Sequence, residues 1–211
     1  MPREWMTMYP THWYRYLSVI LGGLTLGILV LNLQLVREPS GTLAVQCLAN
    51  LQDGKFGTGM SSGRGNHLDF SQLLPGDILL GGNPRASYGV FTHAGIYLGD
   101  GMVLDGWLDQ GLARTPVETF HGYDWACILR VKLPPEARRR AVDYALAHEH
   151  RIFYPIAFKP GERIWNCTKV VWKSYLLQGV DLDTFHDLWV APDAFYLSPH
   201  VEVIAEDGCQ N

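Results

Sequence analysis

Thr92 to Trp107 reads THAGIYLGDGMVLDGW, two short apolar runs around Gly99-Asp100-Gly101. Runs of this kind, broken by Gly and Asp, predict a β-hairpin. Taken as a three-residue loop with Gly101 in the left-handed position, the turn pairs Leu98 with Met102. Tyr97 then faces Val103, Gly95 faces Asp105 and His93 faces Trp107. Strand side chains alternate with period two, so His93, Gly95, Asp105 and Trp107 share one face, while Ala94, Ile96, Leu98 and Leu104 take the core side. His93 and Asp105 become diagonal neighbours with Cα atoms roughly 7–8 Å apart, and Gly95 leaves room between them. The pairing is conditional on the loop, because a two-residue turn reverses the parity.

A carboxylate on one imidazole nitrogen fixes the tautomer and leaves the other nitrogen to exchange protons with a nucleophile. The same two residues also suit a structural hydrogen bond at a sheet edge. The partner that gives the pair a chemical use lies in RIWNCTKVVWKSYLLQG, Arg163 to Gly179. Here a helical pattern begins at Cys167, directly after Asn166, and stops at a glycine. A thiol at a helix N-terminus meets the macrodipole and unsatisfied N–H groups, which favour thiolate and receive a developing oxyanion. The other reading of Cys167 is a buried thiol packed under Trp172. Cys47, Cys127 and Cys209 have no comparable setting.

Outward from these stretches, Pro75-Gly76 marks a turn, Asp77 to Leu80 a short buried strand, and GGNPRASYG a glycine-rich loop. Trp125 to Val131 reads as a further strand with Cys127 as a small core residue. Pro134-Pro135 opens a helix to about His150, and VEVIA near the end reads as a last strand. An antiparallel sheet with helices to one side makes an α+β domain.

The chain has 211 residues, 47% apolar and 18% charged, with a formal charge of -4. That suffices for one globular domain. Without a Lys/Arg-rich block, nucleic acid is not an expected partner. The four cysteines show no CxxC spacing, which excludes a zinc ribbon, and HEH at 148–150 lacks HExxH spacing, so no metal and no cofactor is expected. From Leu17 to Val36, LSVILGGLTLGILVLNLQLV runs 20 residues without a charge. At about 1.5 Å per helical residue this spans a hydrocarbon core of roughly 30 Å. A cleaved signal peptide is the rival reading, but its apolar region runs ~7–15 residues behind a short basic stretch. The expected organisation is a tail (1–16), a single-pass transmembrane signal anchor (17–36), a connector (37–72) with a helix near Thr42 to Gln52, a catalytic domain (73–205) and a tail (206–211). Arg3 and Arg15 before the span balance Arg37 and Lys55 after it, so the positive-inside count is a tie. A short tail with a large domain behind it places that domain on the non-cytoplasmic side.

LPGDILL, THAGIYLGDGMVLDG, ILRV and WNCTKVVWKSY, in this order over about residues 73 to 180, resemble the circularly permuted, papain-like branch of the NlpC-type amidases and peptidases. The YaeF/YiiX-like group looks most similar, and the lecithin:retinol acyltransferases look like more distant relatives. The resemblance implies a permuted papain-like fold with Cys167 as nucleophile, His93 as base and Asp105 as the residue that orients the histidine. It departs at Thr168-Lys169, where relatives often carry Ser-Glu, and at Tyr154-Pro155, where a Tyr-Asp pair is common. The expected activity is that of a cysteine amidase or peptidase, a hydrolase acting through a thiol acyl-enzyme on an envelope peptide, muropeptide or lipid. A thiol-dependent lipid acyltransferase and a non-catalytic, membrane-tethered binding module are the alternatives. Trp107, Tyr97 and Tyr88 are the candidate oxyanion or substrate-binding residues.

Overall fold

Ile78, Leu79 and Leu80 have no solvent exposure on either side of their strand, so both faces of the sheet around them are covered. A computed structural model of the chain describes residues 43–57, 64–83, 85–155 and 157–208, with isolated helical positions between 16 and 27. A helix α1 (Leu43–Gln52) precedes β1 (Ile78–Gly82), β2 (Phe91–Gly99), β3 (Met102–Trp107) and β4 (Gly111–Pro116). A 3-10 turn (Val117–Gly122), β5 (Trp125–Val131), α2 (Pro135–Leu146), α3 (Cys167–Leu176), α4 (Pro192–Tyr196) and β6 (Val201–Gly208) follow. The strands form one antiparallel sheet in the order β4-β3-β2-β1-β5-β6. The α+β class expected from the pattern is the class observed.

One face of the sheet presents Ile78, Leu80, Ala94, Ile96, Leu104 and Leu129 to Ala141 and Val142 of α2 and to Val170, Val171 and Tyr175 of α3. α3 is buried nearly all round, as befits a helix enclosed by a core. Leu79 and Val103 point the other way, against Val117 and Phe120, with Phe70 and Leu73 beside them. The packed body therefore begins before residue 73. Leu68 is buried, and the Asn66 side chain donates to the carbonyls of Phe120 and Tyr123 at 2.8 and 2.9 Å. At the other end β6 continues to Gly208, into the stretch read as a tail. α1 lies where the helix near Thr42 to Gln52 was expected.

The hairpin closes differently from the sequence expectation. Asp100 and Gly101 have φ of 51° and 72°, so the turn has two residues, both left-handed, and Gly99 pairs with Met102. Aspartate tolerates that conformation better than most residues. The parity that such a turn reverses is restored by a bulge, with the register shifting between Tyr97 and Gly99 and leaving Leu98 unpaired. Tyr97 faces Val103 as expected, and Ile96 faces Leu104. β4, which pairs with β3 along Met102–Trp107, has no counterpart among the expected strands.

Among the described residues no helix is long and apolar enough to cross a membrane. Most of 17–36, and Cys209, lie outside those residues. Tyr16, Val19, Ile20, Leu24 and Leu26, which are described, are helical and exposed.

Candidate active site

Gly81 of β1 stands opposite His93 of β2, and the missing side chain makes room for an aromatic ring. A Cβ at Gly81 would lie 2.4 Å from Cδ2 of Tyr123. The Tyr123 ring stacks on the His93 imidazole, with centroids 5.7 Å apart and planes 13° apart. Trp107 and Phe120 flank the same imidazole at 5.2 and 5.9 Å. Gly95 likewise has no space for a side chain, since a Cβ there would meet Cγ1 of Val103 at 2.3 Å.

Asp105, fully buried, is 3.1 Å from Nε2 of His93 through Oδ2 and accepts the indole N–H of Trp107 at 3.0 Å through Oδ1. Both carboxylate oxygens are thus engaged, and the imidazole is held in one orientation. The Cys167 side chain lies close enough to His93 to act on its charge. With Nε2 on Asp105, the nitrogen left for the sulfur is Nδ1. Burial works against a charge on His93, but the negative Cys167 sulfur and the Asp105 carboxylate outweigh it and push the imidazole up to about 10. Across neutral pH the ring is therefore protonated, between the Asp105 side chain and the Cys167 sulfur.

Cys167 opens α3 as its first residue and is itself buried. The side chain of Asn166 caps the helix, accepting Lys169 N–H at 2.7 Å and the Thr168 hydroxyl at 3.1 Å, and donates to the Pro155 carbonyl at 3.0 Å. That cap satisfies the third amide of the first turn and leaves the N–H groups of Cys167 and Thr168 without intrahelical acceptors. The Cys167 thiol, the His93 imidazole and amide donors without intrahelical acceptors thus come together at one helix end.

Trp107 and Tyr88 are drawn to this centre. Burial raises the Tyr88 phenol above its ordinary range, and the negative Cys167 raises it further. Burial, then Cys167 and Asp105, do the same to Tyr123. Tyr97 is placed elsewhere. Its hydroxyl accepts Gly101 N–H at 3.1 Å, supporting the hairpin turn, and its ring packs with Leu79 and Val103. Tyr123 and Gly81 escaped the sequence reading, because only the β1–β2 register and the 3-10 turn bring them to His93. Cys127 is fully buried and its thiol is pushed up by that burial, in keeping with a core residue. His148 and Glu149 are committed elsewhere, to the Tyr144 carbonyl at 2.8 Å and to Arg114 at 2.7 Å.

Gly81→Ala is expected to displace Tyr123 from the imidazole and to lower stability by about 1–3 kcal/mol, the usual cost of overpacking. Thermal melts of the variant and of Gly81→Ala/Tyr123→Ala check this, the second change restoring part of the loss. An unchanged melting temperature would show that the ring has room to move.

No family model matches the chain, and no curated protein matches it. Among solved structures, it is similar to the crystal structure of metalloprotein yiiX from Escherichia coli O157:H7, DUF1105, with a TM-score of 0.52 and 16% identity. The similarity covers 65% of this chain and 99% of that one. At that identity the likeness is one of fold. yiiX is a YaeF/YiiX-like protein, the group that the sequence motifs resemble.

Proposed function

We propose that this chain is a membrane-anchored cysteine hydrolase with a permuted papain-like catalytic domain, acting on an amide or ester carbonyl. The observation that carries the reading is a single imidazole hydrogen-bonded to a buried aspartate and set beside a cysteine at a helix N-terminus. The likeness to yiiX supports the fold on which this arrangement rests.

In the proposed reaction the Cys167 thiolate attacks the carbonyl carbon, forming a C–S bond. The amides of Cys167 and Thr168 receive the negative oxygen that develops. The imidazolium proton on Nδ1 of His93 passes to the departing amine or alcohol as its bond to carbon breaks. Neutral His93 then takes a proton from water, which attacks the thioester and releases the acid, regenerating thiolate and imidazolium. Asp105 holds the ring in place throughout, and Trp107, Tyr88 and Tyr123 wall the site. If an alcohol or amine replaces water in the second half, the enzyme is an acyltransferase. Residues 17–36 serve as the single-pass anchor, with the domain on the non-cytoplasmic side and an envelope peptide, muropeptide or lipid as substrate.

yiiX is called a metalloprotein, and the residues here do not fit a metal. His93 has Nε2 engaged by Asp105, so the pair offers Sγ and Nδ1 against the four ligands of a structural zinc or the three of a catalytic one. Among the described residues no group of three or more His, Cys, Asp or Glu is placed to hold a metal ion. The chemistry proposed uses thiol and imidazole.

Activated esters test the reading without knowledge of the natural substrate. With p-nitrophenyl butyrate, the chain is expected to release a burst of nitrophenol and to carry a butyryl group on Cys167 by intact-mass spectrometry. Cys167→Ala and His93→Ala lose the burst. Adding an alcohol or amine acceptor and identifying the products separates hydrolase from transferase. A wild-type chain that acylates no faster than His93→Ala would leave a non-catalytic binding module.

A further inference from the structure

We infer that the segment leading into Cys167, together with the β3–β4 turn, forms a face that docks on a phospholipid bilayer. Leu108, Ile152, Tyr154, Phe158 and Ile164 are 74%, 69%, 53%, 48% and 46% exposed. Single exposed apolar residues are ordinary, but a contiguous group is not. The fold brings these together. Trp165 N–H donates to Ile152 O at 3.0 Å and Tyr154 N–H to Trp165 O at 2.8 Å, so Phe153 and Trp165 form a short parallel bridge. Phe153 packs inward onto Gly106, while its two neighbours face out. The β3–β4 turn abuts the same segment, where Leu112 N–H donates to Arg151 O at 3.0 Å.

Phe158 and Ile164 border a recess of about 310 Å³ that is also lined by Lys169, Arg163 and Glu162. Lys169 is 3% exposed, with its ammonium held by Ile164 O at 2.9 Å and, more loosely, by Pro160 O at 3.5 Å, over the Trp165 ring. Neither it nor Arg163 has an ion-pair partner among the described residues. Arg163, exposed at this rim beside Glu162, sets a cation among outward apolar side chains, as at the level of a bilayer where lipid phosphates meet acyl chains.

The chain between the apolar run and the body is short enough to keep the body within reach of a membrane. Residues 37–42 span at most about 25 Å even fully extended, so α1 starts within that distance of Val36. Beyond α1, Gly57 N–H donates to Arg85 O and Gly57 O accepts Ser87 N–H, joining the connector to the loop that carries Tyr88. Tyr88 and the Pro155–Asn166 contact both border Cys167. The tether and the apolar rim therefore meet the body at the same centre, and docking places the mouth of the site at the lipid surface. The inference rests on the anchored reading of residues 17–36 and not on catalysis.

The full chain in nanodiscs of phosphatidylcholine and phosphatidylglycerol, compared with the chain in amphipol, decides the matter by amide hydrogen exchange. Amides of 152–154, 162–164 and 108–110 are expected to exchange roughly tenfold more slowly in the nanodisc, with α3 unchanged. Ile152→Asp/Phe158→Asp removes that protection and leaves α3 protected, whereas Cys167→Ala retains it. A chain that fails to associate with the nanodisc overturns both the anchor and the docking face. A chain that associates but exchanges equally in both states overturns the docking face alone. Protection in amphipol that grows with protein concentration assigns the face to a second copy and also overturns the proposal.

Discussion

At pH 6 the His93→Ala chain is expected to react with iodoacetamide at Cys167 roughly a hundredfold more slowly than the wild type. In the wild type, His93 is pushed up to about 10, so the ring stays positive beside the sulfur throughout pH 5 to 9. The wild-type labelling rate is therefore expected to fall less steeply with falling pH than that of the variant. Without the imidazolium, labelling follows the ionisation of a free cysteine near ~8.5 and falls about tenfold for each pH unit below it. The measurement is residue-resolved mass spectrometry of the full chain, with Cys127 as the internal control for a buried and unreactive thiol. Equal rates in wild type and variant at pH 6 would make Cys167 a structural residue. The same pair has a signature in stability. The His93 value is raised above the ~6.5 of an unfolded chain, so the charged ring's contribution is complete below about 6.5 and is lost as pH rises through about 10. The stability difference between wild type and His93→Ala should shrink across that window.

Asp77→Ala is expected to cost about 3–5 kcal/mol, a large part of the ~5–15 kcal/mol that holds a typical domain together. Asp77 is fully buried and accepts Arg130 Nε at 2.8 Å, Arg130 Nη2 at 2.6 Å and Leu74 N–H at 2.8 Å, with Arg138 Nη1 at 3.6 Å. Nε and Nη1 of Arg138 are buried without a hydrogen-bond partner among the described residues. Removing the carboxylate therefore leaves two guanidinium groups without their counter-charge, one of them nearly enclosed. Asp77 also sits where the entry to β1 meets β5 and α2, and the Tyr175 hydroxyl of α3 donates to the neighbouring Gly76 carbonyl. Its loss loosens the helix that carries Cys167 from the strands that carry His93. Thermal or urea unfolding measures the effect, with a melting temperature lower by roughly 10 °C. A loss below about 1 kcal/mol would show that water reaches Arg130 and Arg138 well enough to replace the carboxylate.

Local sequence determined the elements that carry the chemistry. Trp125 to Val131 and the Cys167 helix were legible because runs of apolar residues with clear stops leave few other conformations. The shared face of His93 and Asp105 was legible because side-chain alternation is a property of the strand itself. The route to that shared face was not legible. A two-residue turn with a bulge and a three-residue loop give the same parity beyond Tyr97, and both suit GDG. β4 escaped because GLARTP has little apolar periodicity and is fixed by pairing with β3.

Tertiary structure alone decided the contact between His93 and Cys167, 74 positions apart in the chain. Nothing in either stretch sets their separation. It follows from the packing of Val170, Val171 and Tyr175 of α3 against Ala94 and Ile96 of β2, which draws the helix onto the sheet. Tyr123 and Gly81 belong to the same class, since a ring can occupy a glycine's space only when register and turn deliver it there. The sequence specified which thiol, imidazole and carboxylate stand at helix and strand positions suited to one another, while non-local packing specified which of them meet.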